Sequence, residues 1–492
     1  MLDLAVFARD AERFNSALTL EHYLHGAGLK STLDTTPIYD TFTHLFQADT
    51  YQELSELDDP SLDDKQRRFM LDFIAGGVLG NQVKALSEKI AEIESSAVIE
   101  WDGEPVAYRT TPVRWTNEPD PERRRELWQR WLEATGQHNR LYVDREEATR
   151  DLAPELGFAD YVTMWDTLRG LDLAGLSARL ERFLADTANL YESALRQVLG
   201  DADVDPADAA KCDLAWAFRA PRFDAYFPRD GLLSMLYQTL LDLGLRLEDQ
   251  TSIRLDTEAR PTKSPRAFCA PVIIPTDVRL VIMPRGGFSD YETLLHEAGH
   301  AEHFANMDPG LPFAFKWLGD DSVTESFAFQ LQYLTTDRAW LRHRLAFNES
   351  ADYLTLSLFQ KLYMLRRYAV KILYEQELHR ASDVESMAEY YSDFFSHHLL
   401  VHYAPEEFLS DVDSAFYSAQ YMRAWTLEAL FRDFLRREYD EEWFRHPRAG
   451  AFMRDRWREG QRYTADELAR FLGFDGLDMT PLVAEIRTGL GE

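Results

Sequence analysis

Apolar residues return every three or four positions along most of residues 3–248, the period of amphipathic helices. The pattern is clearest over Asp64 to Leu79, Asn81 to Glu94, Glu122 to Thr135 and Leu176 to Leu199. Val98 to Tyr108 interrupts it and predicts a small hairpin turning at Asp102-Gly103. Val204 to Ala210 and Ala220 to Arg229 read as connections between helices. At Ser252 the texture changes. Ile253 to Asp256 and Ala270 to Met283 hold β-branched residues and prolines with little helical period, which predicts a small strand region with a hairpin near Pro275-Thr276-Asp277. Pro284-Arg285-Gly286-Gly287 ends that region, and a helix is expected after Ser289-Asp290, running to Met307. A second helix is expected after Gly319-Asp320-Asp321, over Ser322 to Thr335. Long helices follow over Ala351 to Leu378, Asp383 to His398 and Phe416 to Tyr439, and the tail from Arg445 to Gly489 breaks into short ones at Gly450, Gly460 and Gly473. The expected class is mainly α, with a small β region beside one helix.

Composition narrows the function. The chain has 492 residues, 45% hydrophobic and 28% charged, which suits a large globular core. Its formal charge of -31 argues against binding nucleic acid or an anionic membrane surface, because both need a basic face. Cys212 and Cys269 are the only cysteines, so neither a disulfide framework nor a Cys-x-x-Cys metal site is implied. The first residues lack a basic segment followed by an apolar stretch, and no run reaches the length of a membrane span, so a cytoplasmic location is expected.

The chemistry concentrates in His296-Glu297-Ala298-Gly299-His300, inside the helix expected from Leu294 to Met307. Residues four apart lie one above the other on a helix, so both imidazoles can face one metal ion. Glu297 is placed to take a proton from a water that the metal activates for attack on a carbonyl. A packed histidine pair on an apolar face would show the same spacing. A catalytic zinc site needs a third protein ligand. Glu325, on the next helix, is the candidate; the loop Asp308 to Gly319 is long enough to bring that helix back. Ser322-x-x-Glu325 also fits a helix capping box, and Glu302, Asp320 and Asp321 are rival carboxylates, so pattern alone leaves the choice open. The stretch after Glu325 is uncharged as far as Thr336, which predicts a helix buried on most sides. His303 reads as a residue that supports the ligands or as a packed polar residue, and Glu292 or Asp321 as a group that could orient a ligand imidazole.

These segments together resemble the thimet oligopeptidase and oligoendopeptidase F family of zinc peptidases. The resemblance runs through Asp256, Arg260, Lys263 and Ala267-Phe268-Cys269, then Tyr291 to Ala301, then the Glu325-Ser326-Phe327-Ala328 context. Upstream, Leu156-Gly157-Phe158-Ala159-Asp160-Tyr161 is similar to another family segment. The resemblance covers roughly residues 150 to 435 and implies one Zn2+ per chain held by His296, His300 and Glu325, with Glu297 as the base. Tyr417 and Tyr421 match family tyrosines that bind substrate and the developing oxyanion; an aromatic packing stripe would show the same one-turn spacing. The last family tyrosine is replaced by Ala424, and the family histidine aligns near Val412. Arg423 could add positive charge there.

The resemblance further implies a two-lobed helical molecule with a deep channel that admits short peptides. It divides the chain into a helical lobe (1–250), a zinc-binding catalytic lobe (251–435) and a closing helical tail (436–492). Endopeptidase action on oligopeptides is the expectation. A metallocarboxypeptidase, a zinc-bearing peptide binder and a non-peptide amidohydrolase are the alternatives. Cobalt or manganese would suit the same ligands as zinc.

Overall fold

Helices dominate the protein, as the periodicity predicts, and strands occupy two short regions. A computed structural model describes residues 2–150 and 152–491. No described helix is long and apolar enough to cross a membrane. The chain forms two compact units, each assembled from separated stretches. One takes the residues up to Phe7, Thr32–Arg219 and Phe359–Ala419; the other takes Ala8–Ser31, Ala220–Leu358 and Gln420–Glu492.

In the first unit, the two helices expected around Gly80 are one, Asp64–Ser96, opened by a capping box between Asp63 and Gln66. Glycine does not break it because its missing side chain is used for packing. A Cβ on Gly77 would lie 1.9 Å from the Phe46 ring, and one on Gly80 would lie 2.1 Å from the Tyr39 hydroxyl. The hairpin is present, with β1 (Val98–Trp101) and β2 (Glu104–Ala107) antiparallel. Asp102 and Gly103 both take positive φ at the turn, as tight hairpins require. The helix expected over Leu176 to Leu199 is instead two, Leu173–Asp186 and Ala188–Asp201. The cause is distant in sequence: buried Arg366 donates to the Leu184 carbonyl and to the Thr187 hydroxyl, each at 2.7 Å, satisfying the helix end.

In the second unit, β3 (Ile253–Asp256), β4 (Phe268–Ile273) and β5 (Asp277–Val281) form a sheet of order β3-β5-β4. β3 runs parallel to β5, and β4 antiparallel. The first helix, Leu4–Gly26, covers one face, where Tyr23 and Ala27 pack against Ala270 and Val281 with Phe268 beside them. Alternation along the strand turns Cys269 to the other face, which the helix Phe288–Asn306 covers. A buried polar clamp closes the loop between β3 and β4. Lys263 Nζ donates to the Asp256 carboxylate at 3.0 Å and to the carbonyls of Asp256, Glu258 and Ile282 at 2.9, 2.9 and 3.0 Å. Arg260 donates to the same carboxylate and to the Ala27 carbonyl, tying the loop to the first helix. The aspartate, arginine and lysine picked out in the sequence therefore shape the sheet's surroundings.

Candidate metal centre

The helix Phe288–Asn306 begins one residue before Ser289 and is fixed at its start by the Tyr291 hydroxyl, which donates to the Pro228 carbonyl at 2.7 Å. One turn later His296 and His300 stack along a single face, their rings 4.9 Å apart. The second helix, Asp321–Gln332, is capped by Asp320, whose carboxylate accepts from the Ser322 amide at 3.1 Å. Asp320 thus fills the capping role that Glu325 could have taken. Every residue from Ser322 to Leu331 is buried.

Gly299 lets the two helices meet. A Cβ there would lie 2.5 Å from Ala328 Cα and 2.7 Å from the Phe327 carbonyl oxygen, so only glycine fits without a shift. This approach carries Glu325 between the histidines. Its Oε2 lies 3.3 Å from His296 Nε2 and 3.5 Å from His300 Nε2. Ligand atoms of His296, His300 and Glu325 all fall within 4.8 Å of one another. The three predicted ligands are brought together.

The other ring nitrogens are occupied. His296 Nδ1 lies 2.8 Å from Gln332 Oε1, and His300 Nδ1 lies 2.9 Å from the Thr324 hydroxyl. An amide oxygen only accepts, so it places the proton of neutral His296 on Nδ1 and leaves the Nε2 lone pair facing Glu325. That is the tautomer a metal ligand needs. Burial acts against charge on Glu325, but the two histidines outweigh it and hold the carboxyl well below the usual carboxylate range. Burial likewise lowers His296, and the hydrogen bond and charge of Glu325 outweigh it and raise the imidazole. Two imidazole nitrogens and one ionised carboxylate in this arrangement suit a divalent first-row metal ion.

The Glu297 side chain is half-buried and makes no hydrogen bond to the described residues. It lies close enough to Cys269 of β4 that, after burial, its charge is what pushes the Cys269 thiol up. The base candidate therefore faces the sheet beside the ligand group. Tyr421 stands in an aromatic cluster that reaches His296: its ring is 6.0 Å from Phe329, which lies 5.1 Å from His296. Tyr417 belongs to the other unit, at the start of the helix Tyr417–Tyr439 that also carries Tyr421.

Several expected neighbours go elsewhere. His303 is buried, with Nε2 3.3 Å from the Gly460 carbonyl, and burial lowers it to about 3. Glu302, pushed up to about 7 by burial, accepts from Gln250 and Asn306. Gln332 and Thr324, not Glu292 or Asp321, take the free imidazole nitrogens. Desolvation pushes the Glu292 carboxyl up to about 8. Arg423 is drawn into ion pairs with Asp320 and Asp466 at 3.1 and 2.9 Å, so it anchors the cap of the Glu325 helix. Gln332 was missed in the sequence, where nothing in the uncharged run after Glu325 sets it apart from Ser326 or Gln330.

The fold and the ligand group together describe a mainly helical protein with a His-Glu-x-x-His helix packed against a glutamate helix. No protein-family model matches the chain, and no curated protein does. Solved structures do. A protein provisionally described as oligoendopeptidase F shares the fold with a TM-score of 0.70 at 16% identity, over 97% of this chain and 89% of that one. A second protein so described, from Bacillus anthracis str. Ames, gives 0.66 at 14% identity, covering 95% and 84%. PZ peptidase A with an inhibitor gives 0.66 at 14%, covering 96% and 86%. The chain has the oligoendopeptidase F fold along nearly its whole length.

Proposed function

We propose that the protein is a zinc peptidase of the oligoendopeptidase F family that hydrolyses internal bonds of short peptides. The observation that carries this reading is the convergence of His296, His300 and Glu325 beside an uncommitted Glu297. Ligands roughly 2.0–2.2 Å from one tetrahedral zinc lie about 3.3–3.5 Å from each other. The glutamate-to-histidine separations of 3.3 and 3.5 Å match. His296, His300 and Glu325 would hold one Zn2+, which supplies the Lewis acidity that lowers the pKa of water and polarises a carbonyl.

The protein's own groups carry the remaining steps. Gln332 and Thr324 hold the imidazoles in register. Glu297 accepts the proton of the attacking water at its carboxylate and delivers it to the leaving amine nitrogen. Tyr421 donates a hydrogen bond to the oxyanion that forms at the scissile carbonyl. β4 pairs only with β5 among the described residues, so its other edge offers backbone groups to an extended peptide. Donor groups along that edge would fix the peptide before hydrolysis.

The test is digestion of a mixed short-peptide library by zinc-loaded protein, read by mass spectrometry. Chelator-treated protein and Glu297→Gln protein run alongside. Internal cuts that vanish in both controls are expected. Trimming from the C-terminus alone would make the protein a carboxypeptidase, and no cleavage by protein holding one zinc per chain would overturn the peptidase reading.

A further inference from the structure

The second unit contains a cavity of about 420 Å3 between the first helix and β4, within the size range of small-ligand sites. Leu18, Thr19 and His22 form one wall, and Phe268, Cys269 and Pro271 form the other. All four consecutive residues from Phe268 to Pro271 line it. Successive strand residues point to opposite faces, so a cavity that touches all four wraps the strand's edge and does not lie on one face. This is the edge left unpaired by β5.

The cavity is tied to the candidate centre through Cys269, which lines it and also feels the charge of Glu297. Its two walls meet at one end. The Ser264 amide donates to the Gly26 carbonyl at 2.8 Å, and a Cβ on Gly26 would press on the Phe268 ring at 3.0 Å. The lining is uncharged at neutral pH, because burial lowers His22 and raises the Cys269 thiol. A charged side chain entering it would lose water without gaining a partner. This contrasts with a chain whose formal charge is -31.

We propose that this cavity is a side-chain subsite that receives a bulky uncharged residue, aromatic or branched aliphatic, of a peptide lying along β4. The inference rests on the peptidase reading and adds a substrate preference to it. An extended peptide on the edge alternates its side chains between the two sheet faces. One set then points past Cys269 towards the helix of Glu297, and the other drops between β4 and the first helix. Thr19 is half-buried on that wall, so a larger residue there fills the space without disturbing the core.

The experiment uses zinc-loaded full-length protein and hexapeptides in which one Phe, Ala or Lys is walked through an otherwise uniform small-residue background. With wild type, Phe at one position relative to the cut is expected to raise kcat/KM over Ala by about tenfold or more, the scale set by filling an apolar pocket. Thr19→Trp is expected to collapse that Phe-to-Ala ratio towards one, and Thr19→Asp to shift the preference to Lys. Cleavage without positional preference, or a Phe preference that both substitutions leave in place, overturns the subsite while the peptidase reading stands. If wild type cleaves nothing, the peptidase reading fails, and binding of the same peptides to Glu297→Gln protein decides the cavity. Tighter binding of the Phe peptide, lost in Thr19→Trp/Glu297→Gln, supports it, and equal binding of Phe and Ala peptides overturns it.

Discussion

Each imidazole of the candidate centre commits one nitrogen to a neighbour and presents the other to Glu325. The neighbours are Gln332 and Thr324, both on the helix Asp321–Gln332 that also carries Glu325. Removing such a partner leaves the ring free to rotate and to hold the wrong tautomer. Gln332→Leu and Thr324→Val are therefore expected to weaken zinc binding on the order of 10–100-fold each, measured by competition with a chromophoric chelator. Unchanged affinity in both would show that Glu325 and packing alone orient the histidines. At this scale the facing pair His296 and His300 was legible in the sequence because helical period fixes which residues share a face. Glu325 was not separable from a capping residue until Asp320 proved to be the cap.

At the scale of elements, the centre depends on how closely two helices approach. Gly299 sits where the helix Phe288–Asn306 meets Ala328, and its hydrogen is all that the gap accommodates. Gly299→Ala is expected to cost about 1–3 kcal/mol through overpacking, and to push Glu325 away from Nε2 of both histidines. A lower Tm together with weaker zinc binding checks this, and an unchanged Tm would refute the close-approach argument. A similar logic governs the start of the helix Tyr417–Tyr439. Ala415 and Phe416, just before it, take φ of 55° and 54°, unusual for residues with a Cβ. The Ala415 amide donates to the Tyr161 hydroxyl at 3.0 Å, and Arg169 donates to its carbonyl at 3.0 Å. Tyr161, with Arg169 two turns on, thus clamps a distant bend, a role no local pattern could reveal.

Over the whole molecule, the excess of negative charge acts against folding. A formal charge of -31 spread over one chain repels itself, and salt screens that repulsion beyond a Debye length of about 10 Å at 0.1 M. The Tm is expected to rise as NaCl increases from about 10 mM to about 300 mM at neutral pH, within the range where screening changes most. A Tm that stays flat or falls would mean that local ion pairs outweigh the net repulsion. Differential scanning fluorimetry distinguishes the two. The chain-wide likeness to solved structures at 14–16% identity shows that this fold persists through replacement of most of its residues.

What the sequence determined by itself was local or periodic. It set the helical class, the hairpin at Asp102-Gly103, the strand region after Ser252, and the facing pair His296 and His300, because each follows from turn chemistry or from a repeat within one element. Tertiary structure decided what depends on partners far along the chain. It ended a helix at Asp186 by supplying Arg366, kept another continuous through Gly80, and interleaved the two units. It also sent Arg423 to Asp320 and gave the imidazoles to Gln332 and Thr324. The physical reason is the same in each case: a buried polar group must find a partner, and which partner it finds is set by packing in three dimensions and not by spacing along the chain.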